Sequence, residues 1–144
     1  MSKVKISNPD NPYFTSHFDE ELKLYELVWH EASQDMEDEE YKQYMLNDRN
    51  NLAKYEKINF VFINLQHRLD TMAPHLQEWS SENIAPFFLE KSTKLKVAVV
   101  RSQDFTTQFS LEQAFEEDNV SEDAVLTKHF DEELAAREWL LDVS

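Results

Sequence analysis

"NFVFINL", residues 59–65, decides the fold of this chain. It is a short apolar run built from aromatic and β-branched side chains, Phe60, Val61, Phe62 and Ile63. Such a run suits a strand buried on both faces, the kind found inside parallel sheets. A second run, "KVAVV" at residues 96–100, has the same character. Between the two lies a helical pattern over about residues 71–84, with Met72, Leu76 and Trp79 turned inward. Pro86 ends or kinks that helix, and "PFFLEK" makes a last turn.

Working outward, residues 36–55 read as a helix. Tyr41, Met45, Leu52 and Tyr55 share one face, and Asp35 is placed to cap it. Residues 13–18 and 22–29 form a hairpin, its turn made by Asp19, Glu20 and Glu21. Ser110, with Gln113 three residues on, has the capping-box pattern of another helix. A strand is expected at 125–130 and a final helix at 131–143, capped by Asp131 with Leu134 and Leu141 on one face. Residues 1–12, with Pro9 and Pro12, read as a flexible lead-in to a single domain over 13–144. The word "HFDEEL" occurs at residues 17–22 and again at 129–134, but no longer self-similarity accompanies it, so the chain is not a duplication. Strand–helix alternation of this kind gives right-handed crossovers. The expected class is therefore α/β, a mainly parallel or mixed sheet with an N-terminal β-hairpin and about four helices.

Composition narrows the function. With 29 acidic against 14 basic residues the net charge is −15, which disfavours nucleic acid and anionic membrane as partners. The acids fall where helices show wet faces, and "LEKSTKLKVAVVR", with Lys91, Lys94, Lys96 and Arg101, is the one locally basic stretch. No apolar run reaches the ~20 residues a membrane span needs, and the start lacks the apolar core of a signal peptide. There is no cysteine, so thiolate metal sites and disulfides are excluded, and a cytoplasmic location is expected. There is no glycine either. Phosphate-cradling loops and the dinucleotide fingerprint need glycine for close backbone approach, so both are excluded.

Trp79 with "NIAPFF", the strand "KVAVV", a short loop ending "DF", "SLEQAFEE" and the closing "FDEELAAREWL" stand in a familiar order. Together they resemble the SpoIIAA-like branch of the STAS superfamily over about residues 20–141. The resemblance implies a small α/β domain that binds a partner and is not an enzyme. In the anti-sigma-factor antagonists of that superfamily a serine after a central strand is phosphorylated to switch binding. The matching segment here, "NLQHRLDT" at residues 64–71, has no serine and no glycine. Its one hydroxyl, Thr71, reads as a helix cap, so the switch does not carry over.

A parallel sheet gathers the loops leaving its strands along one edge, where ligands commonly bind. Here those loops supply His30 and Glu31, then Gln66, His67, Arg68 and Asp70, then Arg101, Gln103 and Asp104. Arg68 and Arg101 suit an anion or a partner's carboxylate; the plainer reading pairs them with Asp70 and Asp104. His67 with Asp70 would be the general-base pair of an enzyme, and adding His75 gives nitrogen and oxygen metal donors, but the spacing fits no strong metal signature. His17 and His129 are expected at exposed turns. Trp29, Trp79, Trp139, Phe87, Phe88 and Phe109 are expected in the core, with an aromatic pocket for an apolar molecule as the rival. The reading is a non-enzymatic module with no cofactor, binding a protein partner or small apolar ligand, and compatible with a homodimer.

Overall fold

The computed structural model describes residues 3–67, 74–92, 94–100 and 125–141. The expected helix at Ser110 lies outside them. The described chain runs β1 (Lys3–Lys5), β2 (Phe14–Asp19), β3 (Leu24–Trp29), a 3₁₀ turn (Glu31–Asp35), α1 (Asp38–Leu52) and β4 (Phe60–Asn64). It continues with α2 (Pro74–Asn83), α3 (Ala85–Glu90), β5 (Leu95–Val100), β6 (Val125–Phe130) and a last helix, α4 (Glu133–Leu140). The class is α/β, with the N-terminal hairpin present.

All six strands form one mixed sheet in chain order, β1 to β6. β1, β2 and β3 are antiparallel neighbours, whereas β3, β4, β5 and β6 are parallel. Tyr25, Val61 and Val97 lie side by side in one row, and Glu26, Phe62 and Ala98 in the next row point the other way. Every residue of β3 except Val28 is buried, because helices cover both sides of the sheet centre. On one side α1 and α2 close the larger core, with Tyr41, Met45, Leu52 and Leu76 against Tyr25, Leu27, Val61 and Val97. On the other side α4 sets Ala136 and Leu140 on Leu24, Phe62, Ala98 and Val100.

Several local expectations change. Part of the lead-in is a strand: Lys3, Val4 and Lys5 pair with Asp19, Phe18 and His17, and Ile6 beyond them is buried. The α1 cap is Glu37 in a reciprocal box with Glu40, because Asp35 is taken up by the 3₁₀ turn. The N-cap position of α4 is Glu132, one residue on from Asp131, and the Glu132 side chain makes no cap bond. Leu134 is 68% exposed, since Ala136 and Leu140 form the buried face of α4. The hairpin turn is closed by Asp19 Oδ1, which accepts from the amides of Glu21 at 3.0 Å and Leu22 at 3.1 Å. Without glycine, the left-handed position that follows falls to Lys23, at φ 56°. Its carbonyl then accepts from Asn59 and Phe60, joining the hairpin to β4.

Candidate functional site

The parallel strands deliver their ends to one rim. His30 follows β3, Gln66 and His67 follow β4, and Asp131 follows β6. Arg68, Asp70, Arg101 and Asp104 lie outside the described residues, as does Phe109. The four strand ends stand side by side because β3, β4, β5 and β6 are neighbours in chain order.

His30 is the most constrained of these groups. Its amide donates to the Tyr13 carbonyl at 2.9 Å, and its Nε2 lies 2.7 Å from the Thr15 hydroxyl on β2. Burial holds its pKa below the ordinary imidazole value, and the nearby His67 lowers it further. His67, the exposed one of the two imidazoles expected at this edge, therefore lies within electrostatic reach of His30. A hydroxyl against a neutral imidazole is the start of a nucleophile–base pair. A working pair also needs a group to orient the base, and His30 has no carboxylate partner among the described residues.

Behind the rim runs a polar chain that sequence reasoning missed. Asn64 Oδ1 accepts the Gln66 amide at 2.9 Å, and Asn64 Nδ2 donates to Glu133 of α4 at 3.1 Å. Glu133 accepts from Arg137 Nε at 3.1 Å. The Arg137 guanidinium lies 4.2 Å from the Phe62 ring centre and donates to Glu26 at 2.9 Å. Lys3 reaches the same carboxylate from β1 at 2.7 Å. Burial alone would raise the Glu26 pKa, but hydrogen bonds from Arg137 and Lys3 outweigh it and hold the carboxyl below its ordinary value. The available signal was Glu26 and Asn64 themselves, two polar residues inside apolar strands, both on the α4 side of the sheet.

Other candidates resolve differently. His17 and His129 are strand residues rather than turn residues, opposite Glu26 and beside Val99. Burial, then Lys3, lowers the His17 pKa. His75, the third donor of the expected cluster, is hydrogen-bonded to Asp38 at the start of α1. Among the described residues no three His, Asp or Glu side chains are grouped to hold a metal. Trp29 stacks on Tyr41, and Trp79 packs edge-on to the same ring. Trp139 lies across the sheet against Phe130, so the three tryptophans do not line one pocket. Among the described residues no helix is long and apolar enough to cross a membrane.

Fold and rim define an α/β domain with a mixed six-stranded sheet and a polar edge carrying two histidines. Compared with known proteins, the chain matches no family model, no curated protein and no solved structure.

Proposed function

We propose that this chain is a non-enzymatic interaction module of the SpoIIAA-like, STAS-related kind, recognising a protein partner through the rim. The observation that carries the reading is the strand order. Open α/β sheets form a ligand crevice where the order reverses and neighbouring helices part to opposite faces. β3 to β6 follow one another without reversal, so the strand order opens no crevice at this rim, which favours contact with a partner's surface over a small substrate. His30, Gln66 and His67 supply its hydrogen-bonding groups, and the chain places Arg68 and Arg101 directly after Gln66–His67 and Val100. With no serine or glycine in the segment after β4, recognition here works without a serine phospho-switch.

A photo-crosslinking side chain at position 67, compared with one at exposed position 43 on α1, tests the rim in the protein's own cells. The expected result is a protein adduct from 67 only, reduced by the double change Arg68→Ala and Arg101→Ala with the fold intact. Equal adducts from both positions, or unchanged capture by the double variant, would overturn the reading. A small molecule retained in native mass spectrometry, with no adduct at 67, would replace it with a ligand carrier.

A further inference from the structure

At the opposite end of the same strands lies a groove of about 340 Å³, lined by Asn59, Phe60, Lys94, Lys96 and Leu126. Its floor follows from the register. Phe60, Lys96 and Leu126 are neighbours across β4, β5 and β6, and all three face the α4 side. Leu126 is 44% exposed, an apolar wall open to water. The end of α4 adds Trp139 beside it.

Two of the five lining residues are lysines, in a chain where acids outnumber bases 29 to 14. Lys96 Nζ donates to the Trp139 carbonyl at 2.6 Å and sits 4.3 Å from that ring's centre. Lys128, one row along, lies 5.9 Å from the Trp139 ring centre and 5.4 Å from that of Phe130. Lys94 is exposed at the mouth. Among the described residues Lys94, Lys96 and Lys128 have no carboxylate partner, although the chain carries 29 acids. An ammonium group has three donors, and Lys96 gives one of them to Trp139, so the cluster has donors left for an anion.

We infer that this groove binds a small amphipathic anion: a carboxylate or phosphate held by Lys94 and Lys96, with the charge of Lys128 beside Trp139 adding to the attraction, and a flat apolar body laid on Phe60 and Leu126. Neither half of the site suffices alone. Exposed lysines hold a bare anion weakly because water screens it, and a shallow apolar wall gives little area. Together they select a molecule with both parts. Lys96 also caps the carbonyl end of α4, where a cation is favoured in any case, so Lys94 and Lys128 are the discriminating residues. The site is separate from the rim and does not depend on it.

The test is amide-resolved NMR of the full chain titrated with phenylacetate, phenyl phosphate and the neutral isostere phenylacetamide. The expected result is movement of the Asn59, Phe60, Lys96 and Leu126 amides and the Trp139 indole, with phenylacetamide binding about tenfold more weakly than phenylacetate. The double variant Lys94→Gln and Lys128→Gln, its fold checked by the remaining amides, should bring phenylacetate down to the level of the amide. Lys5→Gln, removing a positive charge on the far edge strand, should change nothing. Equal affinity for acid and amide, shifts elsewhere on the molecule, an unaffected double variant, or no shifts at millimolar probe would each overturn the inference.

Discussion

Asp48 accepts hydrogen bonds from the Ser16 and Tyr25 hydroxyls on one oxygen, both at 2.6 Å. Its other oxygen is buried with no hydrogen-bond partner among the described residues. Burial pushes the Asp48 carboxyl up to about 6, against the pull of the hydrogen bonds from Ser16 and Tyr25. The Tyr25 phenol is driven well above its ordinary value by its own burial and then by Asp48. A carboxyl raised in the folded state contributes stability that is complete below its ordinary pKa of 3.8 and is lost as pH rises through about 6. The expected loss is about 3 kcal/mol across that window. Urea unfolding of the parent and of Asp48→Asn should therefore show the variant gaining on the parent by about 3 kcal/mol between about pH 4 and about pH 8. A constant gap would show that Asp48 does not titrate in this window. The position was legible as geometry, since 41, 45, 48 and 52 fall on one helical face. Its burial was not, because nothing local announces that Ser16 and Tyr25 wait opposite.

Among the elements, α4 shows how a correct helix can be given the wrong face. Its span was legible from "ELAAREWL", but of the face shared by Leu134 and Leu141 only Leu141 packs partly against the core, while Leu134 stands exposed. Docking on the sheet instead turns Ala136 and Leu140 inward, both wholly buried, and leaves Arg137 over Phe62 in reach of Glu26. Leu140→Ala should cost about 2–5 kcal/mol in denaturant unfolding, from lost burial and the cavity left behind. Leu134→Ala should stay within about 0.5 kcal/mol. Similar losses at both positions would mean that α4 packs on its other face. The same reasoning applies to β1. A three-residue exposed strand has too few residues to show a periodicity, so it exists because β2 offers it an edge and Asn51 of α1 holds the Ile6 carbonyl at 2.9 Å.

The whole molecule carries a charge of −15, and like charges brought together by folding repel one another. Neutral salt screens that repulsion, so the melting temperature at neutral pH should rise as sodium chloride is added. A fall would indicate that pairs such as Lys3–Glu26 and Arg137–Glu26 outweigh the general repulsion. Charge sum, glycine and cysteine absence, and strand-like runs at β4, β5 and β6 are properties of local composition, and the sequence alone determined them. It also determined the α/β class, because hydrophobic period and length distinguish a seven-residue buried strand from a helix. Only the tertiary structure decided which face each polar residue meets. Glu26 is a buried anion because Lys3 and Arg137 arrive from elements more than twenty and more than one hundred residues away. His30 comes within electrostatic reach of His67, and Lys96 and Lys128 share one face of neighbouring strands, because parallel pairing aligns distant strands in register. Local pattern encodes period; pairing between remote segments depends on the free energy of the whole packed sheet, which no short stretch of sequence contains.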